Sequence, residues 1–306
     1  AATSFTVNNA DTEMIATHPA LPAGDYTIHL DTSNHSGEVP SDVALKVLDP
    51  VAYAAATLDH LPGTTAVRTL IYDAERQALL TVTDTAPSNP IVRYQYENGV
   101  WSAPAQAAAG LLDATLSADG TQLFAINQTA VIPVDPVTLA QGTSVAAPSL
   151  ATNSFLKNIV MGNDNRALIT TSLTTSGSTQ GYLFEPASGT ILLNGIVLNN
   201  ATPVMSANGA GAVLSQGDPS LTSDVPVYVY TTSTNSLTAS AVSLRQNGVV
   251  PALNRSLTRV VLNGTRVYDG NFALLGTLPD TTVAVALKSD GSRAYAVDTA
   301  AGGILV

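Results

Sequence analysis

The stretch KSDGSRAYAV, residues 288–297, predicts two short strands joined by a tight turn. Asp-Gly favours a two-residue hairpin turn because Gly tolerates a positive φ and Asp hydrogen-bonds to the backbone two residues on. A closely related string, LSADGTQLFAI, stands much earlier, at residues 116–126. Such a recurrence indicates an internal repeat, which has to be identified before any other feature of the fold.

The same turn-and-strand marker occurs six times along the chain. Its copies are DAERQALLTV (73–82), SADGTQLFAI (117–126), GNDNRALITT (162–171), SANGAGAVLS (206–215), NRSLTRVVLN (254–263) and KSDGSRAYAV (288–297). The turns are spaced by 45, 45, 44, 48 and 34 residues. Further apolar–x–apolar strands follow each marker, so four short strands recur about every 45 residues, as in the blades of a β-propeller.

We therefore predict an all-β chain that forms a six-bladed β-propeller, whose innermost strands are small and apolar, as in TVAVAL (282–287). The last blade reaches only a third strand, at GGILV. A ring needs closure, and VAYAAATL (51–58) is predicted to add the missing outer strand. Seven blades, one of them beyond Val306, is the alternative, and a β-sandwich with an accidental period is the third interpretation.

The strings SADGTQLFAI, TRVYDGNFALLGTLP and KSDGSRAYAVDTAAGGILV resemble the YVTN-type bacterial propeller repeat. This repeat has an "SPDG…LYV" hairpin followed by a "V.VYD…G" strand, and the resemblance covers residues 51–306. It implies the propeller fold. It does not select an activity, because the family includes lactonases, cofactor-carrying dehydrogenase subunits and plain binding modules.

Residues 1–50 lack the marker and form a separate predicted domain. Their string AATSFTVNNADTEMIATHPALPAGDYTIHLDT…SDVALKVLDP contains four strands broken by Pro, Gly and Asn. It resembles the C-terminal half of an IPT/TIG immunoglobulin-like domain. The resemblance implies a partial immunoglobulin-like β-sandwich, and we expect residue 1 to lie mid-domain in a longer polypeptide.

Composition excludes several classes of function. The chain has no cysteine, which rules out disulfides, thiolate catalysis and Cys-based metal sites. Its net charge of −11 disfavours nucleic acid, and no apolar run approaches the ~20 residues of a membrane-spanning helix. The Thr-, Ser- and Asn-rich, Lys-poor composition predicts an exported bacterial protein located outside the cell, on the cell surface or in the periplasm.

The motifs of catalysis are missing from the predicted blades. All four histidines lie within the first sixty residues, and no Gly-x-Ser-x-Gly elbow is present. The aspartates that recur in the turns, at 73, 119, 164 and 290, are interpreted as turn caps. We thus predict no catalytic residue, no metal ligand and no cofactor. GNDNR (162–166) is the one stretch with a hint of calcium, but it lacks the pattern of an EF-hand loop.

Three long polar loops are predicted on one face of the propeller, at 84–90, 172–180 and 216–225. Long polar loops grouped on a rigid scaffold commonly carry binding residues. The candidate ligand-binding residues are Asp84, Asn89, Ser176, Gln180, Asp218 and Asp224. These features predict a non-catalytic binding or adhesion module whose partner is a protein, a glycan or a neighbouring domain. A lactonase-type hydrolase and a structural spacer in a large surface or toxin protein are the alternatives.

Overall fold

A computed structural model of the chain describes two compact units, Ala1–Leu58 and Asp59–Val306. In the first unit it describes the strand residues 4–7, 14–17, 24–31 and 38–47. In the second it describes residues 67–305 except for 84–89, 98–99, 103–104, 107–109, 149, 175–176, 217–222, 246–248, 280–281 and 301–302. No helix in this described part is long and apolar enough to cross a membrane.

The first unit contains two antiparallel hairpins. Strand β1 (Ser4–Val7) pairs with β2 (Met14–Thr17), and β3 (Gly24–Asp31) pairs with β4 (Glu38–Val47). These four strands confirm the strand pattern predicted for residues 1–50. Their membership of an immunoglobulin-like sandwich stays a prediction.

The second unit consists of consecutive antiparallel sheets, each built from strands adjacent in sequence. The first sheet contains β5 (Val67–Asp73), β6 (Ala78–Thr83), β7 (Ile91–Glu97), β8 (Val100–Trp101) and β9 (Ala105–Gln106). The second contains β10 (Asp113–Leu116), β11 (Leu123–Ile126), β12 (Ala130–Val134) and β13 (Val145–Ala146). The third contains β14 (Ser154–Met161), β15 (Ala167–Leu173), β16 (Ser178–Glu185) and β17 (Thr190–Leu198).

The remaining sheets repeat this meander. The fourth contains β18 (Ala201–Met205), β19 (Gly211–Gln216), β20 (Val225–Thr231) and β21 (Ser236–Leu244). The fifth contains β22 (Ala252–Leu253), β23 (Arg259–Leu262), β24 (Arg266–Asp269) and β25 (Leu274–Thr277). The sixth has three described strands, β26 (Thr282–Leu287), β27 (Ala294–Asp298) and β28 (Gly303–Leu305).

The first strand of each sheet contacts the first strand of the next, so these strands are the inner strands of a β-propeller arrangement. The sheets pack face to face because alternate side chains of a strand point to opposite faces. In β11, Leu123 and Ala125 pack against the first sheet, whereas Phe124 and Ile126 pack against the third. All four are buried, which explains why β11 is continuously apolar. Apart from a three-residue 3₁₀ turn, Thr232–Thr234, the described residues contain no helix, and the all-β prediction is confirmed.

The marker turns hydrogen-bond to one another from sheet to sheet, and we call this series the turn ring. Its bonds are Arg76 Nη1 to Gly120 O (2.8 Å), Ala118 N to Asn165 Oδ1 (3.4 Å), Asn163 N to Gly209 O (3.0 Å), Asn208 N to Arg255 O (3.1 Å) and Arg255 N to Ser289 O (3.1 Å). The repeated marker thus serves two purposes: it closes each hairpin and it joins the hairpin to its neighbour.

The aspartates of the turns cap their own backbone, as predicted. Asp119 Oδ1 accepts hydrogen bonds from the backbone N–H of Thr121 at 3.0 Å and from the hydroxyl of Ser117 at 2.6 Å. Asp290 Oδ1 accepts from the backbone N–H of Ser292 at 2.9 Å. Each of these carboxylates therefore satisfies donors that the tight turn leaves without a ladder partner.

Apolar side chains are exposed on the first and sixth sheets, where two sheets of a closed ring would face each other. They are Val67, Leu70 and Tyr72 on the first sheet and Val283, Tyr295 and Val297 on the sixth. Leu70 is 59% exposed and Tyr72 51% exposed, although both belong to an inner strand. The segment predicted to complete the last blade, 51–58, lies outside the described residues, and its pairing with β28 stays a prediction.

Candidate functional site

One face of the propeller, here called the loop face, carries the connections between the second and third strands together with the connections between sheets. Backbone hydrogen bonds join the two kinds of connection: Thr174 N donates to Asn153 O at 3.1 Å and Asn199 N donates to Gly177 O at 2.9 Å. The turn ring lies at the opposite ends of the same strands. This separation agrees with the prediction that long loops and short turns occupy different faces.

The strand bounds correct the predicted loop lengths. In the third sheet β15 continues to Leu173 and β16 begins at Ser178, so the connection is 174–177 rather than 172–180. The reason is that Ser178 to Gln180 continue the ladder with β17. The long connections are therefore 84–90 in the first sheet and 217–224 in the fourth. The prediction of a long loop at 172–180 is therefore wrong.

The predicted binding residues have different outcomes. Gln180 lies within β16, where its Oε1 accepts a hydrogen bond from the hydroxyl of Tyr182 at 2.5 Å. Asp224 is exposed and directly precedes β20. The other four lie outside the described residues: Asp84, Asn89, Ser176 and Asp218.

Three inner strands carry a β-bulge near their first residues; the additional residue is cationic in β5 and β14 and is Val283 in β26. In β5, Val67 pairs with Thr83 and Thr69 pairs with Val82, which leaves Arg68 as the additional residue. The corresponding irregularity in β14 lies between Leu156 and Asn158 and leaves Lys157 as the additional residue. Bulges bend a strand and re-aim a side chain. Arg68 and Lys157 therefore occupy equivalent places on the first and third sheets.

Between these bulges, Asp113 begins the inner strand of the second sheet. Its Oδ1 accepts from Thr69 Oγ1 at 2.5 Å and from Ala114 N at 2.9 Å, and its Oδ2 accepts from Ile159 N at 2.9 Å. The carboxylate is 5% exposed. Burial raises the pKa of Asp113, while these hydrogen bonds and the charge of Arg68 act in the opposite direction. Asp113 thus joins three sheets at the axis and has little acceptor capacity left.

Arg68 spans from the first sheet to the third. Its Nη2 donates to the carbonyl oxygen of Lys157 at 3.1 Å and lies 3.5 Å from Asn158 Oδ1. The side chain is half-buried. A guanidinium has five N–H donors, and the described residues use only those of Nη2. Nε and Nη1 of Arg68 make no hydrogen bond to the described residues.

Amide side chains complete the group. Asn158 Nδ2 donates to Thr170 Oγ1 at 3.0 Å and to Ala201 O at 3.1 Å, and Lys157 Nζ donates to Asn200 Oδ1 at 2.5 Å. These bonds fix the third sheet to the start of the fourth. We call the resulting set the axial cluster; it consists of Arg68, Thr69, Asp113, Lys157, Asn158 and Asn200.

The axial cluster corrects the expectation of small, apolar inner strands. Sequence reasoning missed Arg68, Lys157 and Asn158, which lie within the strings VRTLIYD and SFLKNIVM. The sequence did contain an indication of the site, because a charged residue is unusual in the inner strand of a propeller blade. The direction of these charged side chains depends on the β-bulges. Bulges arise from strand pairing and cannot be read from the amino-acid sequence alone.

The stretch GNDNR uses its side-chain oxygens within the protein. Asp164 Oδ1 accepts from Arg166 N at 3.1 Å, and Asn165 Oδ1 accepts from Ala118 N at 3.4 Å in the turn ring. Over the described residues, no three His, Asp or Glu side chains cluster as metal ligands would. Calcium binding at this stretch stays an untested expectation.

No protein-family model matches the chain, and no curated protein matches it. Among solved structures, the chain is similar to a gluconolactonase from Xanthomonas campestris. The two share 13% sequence identity with a TM-score of 0.54, over 77% of this chain and 83% of that one. At this identity the likeness shows the propeller fold alone.

Proposed function

We propose that the chain is a non-catalytic binding or adhesion module of a larger exported bacterial protein, and that its ligand binds the loop face around the axial cluster. The observation that carries the proposal is that the Asp113 carboxylate is hydrogen-bonded within the protein. Its oxygens accept three hydrogen bonds from the protein itself, so it is poorly placed to take a proton from water. Arg68 keeps free donors beside it, which suits binding.

The proposal includes a finer account of the fold. The propeller is of the YVTN type and has six blades, the last completed by strand 51–58; seven blades is the alternative. The exposed Leu70, Tyr72 and Val297 support closure by a further segment, because large apolar side chains are costly to leave in water. Residues 1–50 form the C-terminal half of an IPT/TIG-like sandwich that precedes the propeller.

The amino-acid composition supports the proposed location of the protein. An acidic, cysteine-free chain rich in Thr, Ser and Asn suits an extracellular, cell-surface or periplasmic setting. The partner is a protein or glycan ligand, or neighbouring domains of the same polypeptide. Nucleic acid has no part in the proposal, since a net charge of −11 repels polyanions. The proposal also includes neither membrane insertion nor a cofactor.

A lactonase-type hydrolase is the second candidate function. The similarity to a gluconolactonase favours it, and so does the presence of polar groups at the axis of the propeller. It requires a group that activates water, and Asp113 would have to break its own hydrogen bonds to act as that group. A structural spacer is the third candidate, and it requires the loop face to be covered by neighbouring domains.

The test combines glycan-array binding with hydrogen exchange. The protein is applied to an array of bacterial and host glycans, and amide exchange is then compared with and without the best glycan. We expect protection at 84–90, at 217–224 and at the first residues of β5 and β14. Protection confined to the turn ring, or binding to no glycan, would contradict binding of a glycan at the loop face. Turnover of gluconolactone that Asp113→Asn abolishes while the variant is still folded would favour the hydrolase.

A further inference from the structure

We propose that the side of the propeller that carries the turn ring, here called the turn-ring face, binds a second copy of this chain, with its basic part against the acidic part of the other copy. The inference concerns the side opposite the loop face and is independent of the proposed function. Its starting observation is an uneven distribution of charge. Residues 245–293 contain six of the 12 Lys and Arg but only three of the 23 Asp and Glu.

The marker turns of the fifth and sixth sheets form the basic part of the turn-ring face. Arg255 and Arg293 are exposed there, and Arg259 is half-buried. Arg255 N donates to Ser289 O at 3.1 Å, and a Cβ added at Gly291 would lie 2.6 Å from Arg259 Cγ. The three arginines therefore belong to two turns that adjoin.

These arginines leave the two turns with a positive charge. None of the three forms an ion pair among the described residues, whereas Lys288 lies 2.7 Å from Asp290. Asp269 stands opposite Arg259 in the ladder between β23 and β24 and is the remaining acid that the described residues place at this end of the two sheets. This part of the face is thus net positive in a chain whose net charge is −11.

The first three sheets form the acidic part of the same face. Their exposed or half-buried acidic residues at this end are Glu75, Asp119, Asp135, Asp164 and Glu185. The arginines among them are already paired, Arg76 with Asp73 at 3.0 Å and Arg166 with Glu185 at 2.7 Å. The acids outnumber these two arginines, so this part of the face is net negative.

The fourth sheet separates the two parts and suits a symmetry axis. Its turns at this end, 206–210 and 232–235, contain no charged residue, and Ala207 and Ala210 are exposed. A two-fold axis through this sheet would place the fifth sheet of one copy opposite the third sheet of the other, and the sixth opposite the second. Every contact of such an interface occurs twice. Basic and acidic parts would therefore meet on both sides of the axis.

The charges can attract although both copies are acidic overall. At an ionic strength of about 0.15 M the Debye length is about 8 Å, so the repulsion between the two net charges is largely screened until the faces touch. Guanidinium groups then pair with carboxylates, whose two oxygens match their planar N–H groups. The dimer would leave both loop faces free on opposite sides, so that two ligands could be bound at once.

The experiment measures self-association of the whole chain by sedimentation velocity in about 0.15 M NaCl. We expect a reversible dimer. Arg255→Glu should weaken it about tenfold or more, because it introduces a like charge at both symmetry-related contacts. Arg266→Glu is the matched control, since it makes the same change of charge at an exposed residue of the same sheet, at the end of β24 that lies on the loop face. Its dimer should be as stable as that of the parent.

A mixture of two variants tests the pairing itself. Glu185→Lys reverses an acidic residue of the third sheet and should also weaken self-association. In a dimer of one Arg255→Glu chain and one Glu185→Lys chain, the two altered residues would lie on facing sheets with opposite charges, while the second contact is that of the parent. We expect the mixture to dimerise about tenfold more tightly than either variant alone.

Three results overturn the inference: a chain that stays monomeric to about 1 mM, a dimer weakened as much by Arg266→Glu as by Arg255→Glu, or a mixture that dimerises no more tightly than the separate variants. Binding of poly-L-glutamate to a monomeric chain, lost in Arg255→Glu, would assign the basic part to a different acidic protein and also overturn it. Thermal melting of each variant is recorded, and if Glu185→Lys does not fold, Arg255→Glu, Arg293→Glu and Arg266→Glu decide the outcome. Glycan binding at the loop face is measured separately, so the proposed function stands or fails on its own.

Discussion

Arg76 Nη1 donates to the carbonyl oxygen of Gly120 at 2.8 Å and so joins the first marker turn to the second. The same nitrogen lies 3.0 Å from Asp73 Oδ2. Asp73 is 1% exposed and Arg76 is mostly buried, so this ion pair is shielded from water. Side-chain donation also occurs between the fifth and sixth turns, where Asn254 Nδ2 lies 3.5 Å from Ser289 O.

Replacing Arg76 by Ala should lower the free energy of unfolding by about 2–3 kcal/mol. The change leaves a buried carboxylate without its cation and removes one link between sheets. Chemical denaturation of the two proteins measures the difference, with Arg266→Ala as the control, for which we expect less than about 0.5 kcal/mol. Equal stabilities of Arg76→Ala and the parent would show that the ion pair contributes nothing.

Three Gly→Ala variants separate the cost of backbone strain from the cost of steric contact. Gly209 has φ +69° and a Cβ added there would lie 2.6 Å from Asn163 N, so Gly209→Ala should cost about 3 kcal/mol or more. Gly189 has φ +62° and no atom within 4 Å of the added Cβ, so Gly189→Ala should cost only about 1 kcal/mol. Gly276→Ala, with neither constraint, should be near neutral. Thermal melting ranks the three, and a cost for Gly209→Ala no larger than that for Gly189→Ala contradicts the close contact between Gly209 and Asn163 in the turn ring.

Asp113→Asn should destabilise the protein by about 2 kcal/mol although the side chains have nearly the same shape. Asn offers one oxygen, which can replace Oδ1 toward Thr69, but its NH₂ group would then face the N–H of Ile159. A buried donor would lose its acceptor. Urea denaturation at pH 7 measures the loss, and an unchanged midpoint would mean that Ile159 finds another acceptor.

Acid should destabilise the protein through its turns. Hydrogen bonds to the ionised carboxylates hold the pKa of Asp119, Asp135 and Asp290 below the ordinary value of 3.8. The unfolded chain therefore binds protons more readily, and the stability these groups provide is complete above pH 3.8 and lost as pH falls through their folded pKa values. The pKa of Asp113 is raised by burial, so its protonation on acidification favours the folded state and offsets part of the loss.

The variant Asp119→Asn tests whether Asp119 contributes to the loss of stability in acid. Asn is a suitable replacement because the chain already has Asn at the equivalent position of another turn. Asn208 in the fourth sheet caps the equivalent turn, accepting from Ala210 N at 3.1 Å and from Ser206 Oγ at 2.9 Å. The variant should therefore fold normally at pH 7 and lose less stability than the parent between pH 5 and pH 2. If the variant loses as much stability as the parent over this pH range, Asp119 does not contribute to the acid sensitivity.

Deleting residues 51–58 tests the proposed closure of the ring. Without that strand the third strand of the sixth sheet would keep a bare edge, and the exposed side chains of the first sheet would stay uncovered. We expect a loss of several kcal/mol or aggregation, read from the melting temperature and from size-exclusion chromatography. Melting within a degree or two of the parent would contradict the closure.

The internal repeat made the fold predictable from the sequence. The candidate site was not predictable, because it depends on how the strands pair. Turn chemistry at Asp119 and Asp290 is local, so a string of ten residues predicts it. The axial cluster depends on extra residues in β5 and β14, whose effect exists only when the partner strands set the register. Gln180 failed as a loop residue for the same reason, because β16 begins earlier than its composition suggests.

The turn ring has a consequence for how such a domain changes over generations. From Asn163 to Ser289 the links run from a main-chain N–H to a main-chain carbonyl, and they constrain conformation far more than residue identity. Side chains in these turns can therefore diverge while adjoining units remain compatible, and a duplicated unit could be inserted without new complementary partners. The chain and the gluconolactonase to which it is similar share the propeller fold at 13% sequence identity.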